Sequence, residues 1–210
     1  MKSKDVKTLV VKGLSKYLDT SLSTWKLKNH LFYGPVDNGI LQGIYFNSSG
    51  FSSNRFEIVA FIQPLYVPSD TIDLSFSLNL KTQNKKQWWE FNEDSLEVTA
   101  NEIALQINAN AKAFLTSHQK PVNVYKSFYQ NRKSSYRHFE MVAYSAVYAE
   151  LQTATNELKE LLSFIKNKED LHNEWVSQVY NNTIELLYSD NPKALLSQWE
   201  YKTLKALKIT

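Results

Sequence analysis

Ile72-Asp73-Leu74-Ser75-Phe76-Ser77-Leu78-Asn79-Leu80 decides how this chain is read. Apolar and polar residues alternate at every step, the period of a strand with one dry face and one wet face. Such a strand needs neighbours in a sheet, and its dry face needs a cover. Phe76, at the middle of that face, is expected to be buried. Working back along the chain, Phe56 to Ile62 is apolar at every position but Glu57. That run suits a central strand covered on both faces, and Pro64 and Pro68 bracket its end because neither can donate to a ladder. Ile40 to Phe46 reads as a further strand, set off by the turn-favouring run Asn47-Ser48-Ser49-Gly50. Trp25, Leu27, Leu31 and Tyr33 alternate with Lys26, Lys28 and His30 in the first strand, which Gly34-Pro35 ends. Connections this short predict an antiparallel meander.

Outside the sheet the apolar period changes to that of helices. Val6, Leu9, Val10, Leu14, Tyr17, Leu18 and Leu22 mark a helix from about Lys4 to Leu22. Asp94, with Glu97 as its capping-box partner, is expected to open a second one carrying Leu96, Ala100, Ile103, Ile107, Ala111 and Phe114. Tyr144, Val147, Leu151, Ala154, Leu158, Leu161 and Ile165 predict one long seam for packing on another helix. Residues 171–188 and 193–207 supply two partners for it, with Pro192 placed at the first turn of the last helix. The expected class is α+β: an N-terminal helix, a four-stranded antiparallel sheet and a helical C-terminal half. A single domain is expected over 1–210, made of an α+β portion (1–118), a connecting segment (119–135) and a helical portion (136–210) packed on it.

Composition narrows function more by exclusion than by pointing. The chain has 210 residues, and 43% of them are hydrophobic, ample for a sizeable core. Without cysteine, a disulfide framework, a thiolate zinc site and a cysteine nucleophile are all excluded. Net charge is only +3, so electrostatic arguments must be local. Lys7, Lys12, Lys16 and Asp19 interrupt any signal-like apolar stretch, and no window approaches the ~20 apolar residues that cross a bilayer. A cytoplasmic protein is expected, and the Asn-X-Ser/Thr triplets at Asn47 and Asn181 are read as chance matches.

Catalytic and metal-binding patterns are sparse. His30, His118, His138 and His172 lie far apart, and none pairs with another at the i, i+4 spacing that aims two imidazoles at one ion. Glu169, Asp170 and His172 cluster where a helix begins, and the helix dipole already favours acids there. Asp70 and Asp73 read as turn and strand-face residues. No serine sits in a Gly-x-Ser-x-Gly elbow, and no phosphate-binding glycine pattern occurs. The expectation is no metal and no cofactor, with catalytic residues unassigned.

Two stretches are candidates for binding. Trp88-Trp89 on an extended segment must point in opposite directions, one ring inward and the other, with Phe91, outward as an anchor for a partner or as cover for a sheet edge. Lys120 to His138 interleaves Tyr125, Phe128, Tyr129 and Tyr136 with Lys126, Arg132, Lys133 and Arg137, and contains no acid. Basic groups neutralise phosphates and aromatic rings stack on bases, so the stretch suits single-stranded nucleic acid. It suits equally an acidic protein partner, or a solvated linker whose aromatics anchor it to the core.

From Trp25 to Phe114 the chain resembles a group of small bacterial proteins of unassigned function. They share a strand ending in Gln-Pro-Leu-Tyr-x-Pro, here Gln63-Pro64-Leu65-Tyr66-Val67-Pro68, then a further strand, a Trp-Trp pair and a helix closing on Phe-Leu, here Phe114-Leu115. The resemblance spans less than half of the chain and carries no catalytic motif, so it assigns no active residue. The layout of leading helix, sheet and trailing helices is similar to that of bacterial immunity proteins, which bind the toxins they neutralise. It implies a non-catalytic protein-binding protein, an immunity or phage-defence accessory. The alternatives are a nucleic-acid-associated protein using 120–138 and an enzyme with a site assembled from dispersed residues. A protein partner and no membrane partner are expected, and the sequence leaves the oligomeric state open.

Overall fold

The computed structural model describes residues 1–50, 54–168 and 170–209. It is an α+β protein with an antiparallel sheet. The chain divides into two compact units: 1–36, 41–63 and 76–117 form the first, and 37–40, 64–75 and 118–210 the second.

The first unit opens with α1 (Ser3–Thr8), capped by the Asp5 side chain, which accepts from the Lys2 amide at 2.8 Å. The expected long helix does not follow. A π turn (Leu9–Gly13) and two short 3-10 turns (Leu14–Lys16, Thr20–Leu22) replace it. The wide π turn advances the chain by an extra residue, so the stripe is kept at Val6, Leu9, Val10, Leu14 and Leu22 but Tyr17 swings out to solvent. Gly13 sits there because α2 comes close: a Cβ on it would lie 2.7 Å from that of Ala100.

Trp25 to Tyr33 is a tight hairpin and not a single strand. β1 (Lys26–Lys28) and β2 (Leu31–Tyr33) pair through Leu27 opposite Phe32, and the turn between them places Asn29 at φ 54°, a left-handed position that asparagine tolerates. β3 (Ile40–Ser48) pairs with β2, and β4 (Arg55–Pro64) is the buried central strand that the apolar run predicted. β5 is limited to Ser77–Leu80, with Ile58 opposite Leu80, and a further strand, β6 (Trp89–Glu90), pairs Trp89 with Phe56. Phe76 and Leu80 are buried as the alternation requires, whereas Ile72 and Leu74 are only half-buried and lie outside any strand. The dry face is therefore shorter than the alternation implied. The strand count is six among the described residues, against four expected. α2 (Leu96–Gln106), a second π turn (Ile107–Ala111) and α3 (Lys112–Ser117) follow. Asn92 supplies the cap in place of Asp94, accepting from the Asp94 amide at 3.0 Å before a 3-10 turn. The Gln42 side chain donates to the Leu115 carbonyl at 2.6 Å, tying α3 to β3.

The second unit is built on α5 (Tyr136–Tyr148), buried from Phe139 to Val147. α4 (Pro121–Phe128), α6 (Ala154–Asn167), α7 (Glu174–Leu187) and α8 (Pro192–Leu207) pack against it. The long seam expected from Tyr144 to Ile165 is broken. Glu150 adopts φ 54°, Leu151 donates to the Ala146 carbonyl and Glu150 to that of Val147, a left-handed stop that turns the chain back as a helical hairpin. Pro192 opens α8 as its position predicted, behind Asn191, whose side chain accepts from the Ala194 amide. Gly39, at φ 71°, faces Tyr66 and Tyr148, whose rings stack at 4.3 Å. No helix among the described residues is long and apolar enough to cross a membrane.

Candidate functional site

The stretch from Lys120 to His138, which takes in most of the expected connecting segment (119–135), is largely helical. Pro121 stands at the first turn of α4, where its missing N–H is no loss, and a 3-10 helix (Tyr129–Ser134) carries the chain to the Ser135 cap of α5. Its first half is spent on α6. Arg132, only 12% exposed, stacks its guanidinium 3.8 Å above the Tyr129 ring and lies 3.2 Å from both Glu157 and Glu160, while Lys133 lies 3.3 Å from Glu160. Tyr125 reaches Glu157 at 3.4 Å and packs on Tyr129. Burial pushes the Glu157 carboxyl above its usual range, and Arg132 offsets only part of that. Arg132 Nε and Glu157 Oε2 attract at ion-pair distance but with no directed hydrogen bond. Lys120 and Lys126 are exposed and make no ion pair among the described residues. The basic character read from sequence is thus largely cancelled by acids that sit about 30 residues further on.

The second half meets a different surface. Arg137, 14% exposed, donates from Nε to Asp73 at 2.6 Å and from Nη1 to Glu140 at 2.8 Å and the Pro68 carbonyl at 3.2 Å. Asp73 also accepts from the Ser75 amide at 2.8 Å. Burial alone would raise the Asp73 carboxyl, yet the bonds from Ser75 and Arg137 together hold it below the usual value. Glu140, buried to 1% exposure, goes the other way: burial raises it and Arg137 recovers only part. Asp73 is therefore an anchor for the irregular run 68–75 and not a strand-face residue. Tyr136 donates to Asp170 and packs edge-on against Phe164 and Trp175.

Around these residues lies an open groove of about 840 Å³, walled by Pro68 to Ser75, Arg137 and Trp175. Its apolar surface comes from Ile72, Leu74 and Trp175, the last 46% exposed. Of the residues singled out in the sequence, Tyr136 and Arg137 are brought here, whereas Tyr125, Lys126, Tyr129, Arg132 and Lys133 are not. Trp175 escaped the sequence reading. The signal for it was its place off the stripe Val176, Val179, Thr183 and Leu186, directly after the Asn173 cap.

In the first unit, Trp89 is core: it is 2% exposed and its indole donates to the Leu80 carbonyl at 3.1 Å. Trp88 is 40% exposed and Phe91 half-buried, so the inward and outward rings are assigned. His30 bonds the Phe46 carbonyl, His118 packs on Phe128 and His138 bonds Ser135, so each has a structural partner. Asp170 accepts from Tyr136 at the start of a 3-10 turn, and Glu169 lies outside the described residues. Among the described residues, no group of three or more histidine or carboxylate side chains could hold a metal ion.

No protein-family model, curated protein or solved structure matches this chain.

Proposed function

We propose that the protein is a non-catalytic binding protein that holds a protein partner through the groove beside Trp175. The observation that carries this reading is Trp175 itself, an indole left half in solvent above a groove in which Arg137 and Asp73 are already paired with one another. Tryptophan on an open apolar surface is the side chain most enriched among energetically dominant interface contacts. Arg137, Asp73 and Glu140 satisfy each other, so they give the groove shape more than they give it reactivity. A single-stranded nucleic-acid partner draws less support, because Arg132, Lys133 and Arg137 are engaged by carboxylates.

The test is affinity capture from the native host with the tagged chain and two single variants. The wild type and Trp88→Ala should retain the same partner at near-equal amounts, and Trp175→Ala should lose it by roughly tenfold or more. Capture unaffected by Trp175→Ala, or no partner at all, overturns the reading. The narrower proposal, an immunity or phage-defence accessory, rests on layout alone. It stands if the captured protein is a toxin or a defence nuclease and falls if it is neither.

A further inference from the structure

Two side chains that line the groove of the second unit lack the partner their chemistry calls for. Asp70 is exposed in its wall and makes no hydrogen bond or ion pair among the described residues. The other carboxylate there, Asp73, is bound by Arg137 and by the Ser75 amide, and Arg137 is matched a second time by Glu140. Arg137, the cation of this wall, is therefore fully engaged, and Asp70 leaves the lining with an unmatched negative charge. Trp175 is the second such side chain. Cations lie over the rings of Tyr129, Phe139, Phe164 and Tyr180, but among the described residues none lies over Trp175, although its indole is 46% exposed.

The indole is held in place from behind. The Trp175 amide donates to the Asn173 side chain at 3.1 Å, which fixes its backbone in the first turn of α7. Its ring meets that of Tyr136 edge-on at 6.2 Å, and Tyr136 is itself fixed by Phe164 at 5.4 Å and by donating to Asp170. An aromatic ring ordered in this way has little freedom left to lose when a partner settles on it. Beside it, Ile72 and Leu74 are half-buried and give the same groove an apolar strip.

We infer that the groove takes an arginine side chain of the protein partner, flanked by an aliphatic residue; this rests on the partner reading above and names what that partner presents. An uncovered indole face and an unmatched carboxylate in one groove both call for a cation. Arginine answers them together, because its flat guanidinium stacks on an indole while its N–H edge donates to a carboxylate in the plane of the group. The two contacts use different parts of the side chain and do not compete. The aliphatic neighbour covers Ile72 and Leu74. An acidic side chain would meet repulsion from Asp70 and would find Arg137 already bound to Asp73 and Glu140.

Nuclear magnetic resonance of the full chain, labelled with nitrogen-15 on tryptophan, tests it by following the Trp175 indole. The probes are an acetylated and amidated Gly-Leu-Arg-Leu-Gly peptide and two versions of it, one with citrulline and one with glutamate in place of arginine. The arginine peptide should shift the indole signal saturably, and citrulline, which keeps the shape and removes the charge, should bind roughly tenfold or more weakly. Asp70→Lys should weaken the arginine peptide by a similar factor and keep the wild-type melting temperature, since Asp70 is exposed and bonds nothing in the fold. No saturable shift, citrulline or glutamate binding as tightly as arginine, or equal binding of the arginine peptide by a folded Asp70→Lys chain overturns the inference. Should that variant not fold, the peptide series on the wild type decides alone. Each of those results strikes the arginine only, whereas capture indifferent to Trp175→Ala strikes the partner reading and this inference with it.

Discussion

The two compact units bury different chemistry. In the first, Gln63 is the buried polar side chain among the described residues, and the core is otherwise mostly Leu, Ile, Val, Phe and Ala, with Trp89, Tyr33 and Met1. The second buries Glu140, Glu157, Asn182, Thr183, Ser145, Thr203 and His118. Apolar cores answer to volume, whereas buried polar cores answer to pairing, because a group left without its partner keeps its full desolvation cost. The difference explains why the first unit yields to an alternation argument and the second does not.

The largest effects should separate the units by mechanism. Arg137→Ala leaves Glu140 and Asp73 without their cation and should cost about 3 to 5 kcal/mol in urea unfolding. Arg137→Met with Glu140→Gln and Asp73→Asn restores shape while removing all three charges and should recover most of that loss. Phe76→Ala in the first unit, where the ring is 2% exposed, should also cost about 3 to 5 kcal/mol, but there Phe76→Leu should recover most of it because only volume is at stake. If Arg137→Met alone were as stable as wild type, the pairing account of the second unit would fail.

A smaller effect appears with pH. Glu140 holds its proton more tightly when folded, so stability tied to it is present below the ordinary glutamate range and is lost as pH rises through that range toward the raised value. Asp73 has the opposite sign: its contribution is present above the ordinary aspartate value and is lost as pH falls through it. Glu140→Gln should therefore abolish the loss seen on the alkaline side of the ordinary carboxylate range and leave the acid-side loss in place. Urea midpoints from about pH 2 to about pH 8 read both limbs directly. An unchanged profile would mean that Glu140 does not titrate within that window.

Legibility in the sequence follows the same division. Phe56 to Ile62, Leu80 and the Trp88-Trp89 pair were readable because strand period and burial depend on neighbours one or two residues away. The hairpin at Asn29 and the stop at Glu150 were not, since each places a residue other than glycine in a left-handed conformation that local pattern does not announce. The Lys120 to His138 stretch left a linker, an acidic partner and a nucleic acid open for a related reason. Arg132, Lys133 and Arg137 are matched by Glu157, Glu160, Asp73 and Glu140, of which three lie well away along the chain. Trp175 was legible as a residue off the buried stripe, but the groove it overlooks is made by 68–75, of which the alternation had assigned 72–75 to a strand.

The smallest expected change is at Trp88. Exposed on the first unit and outside the groove, it should lower stability by about 0.5 kcal/mol or less when replaced by Ala. A loss of several kcal/mol there would show that its ring carries packing beyond its exposed face.

The proposed surface for a protein partner is the groove of the second unit. Hydrogen–deuterium exchange on the chain, alone and saturated with the partner captured from its host, tests that most directly. Protection should concentrate in 68–75 and around Trp175, with 88–91 unchanged. Protection confined to 88–91 or to 120–133, with 68–75 exchanging as in the free chain, would contradict it.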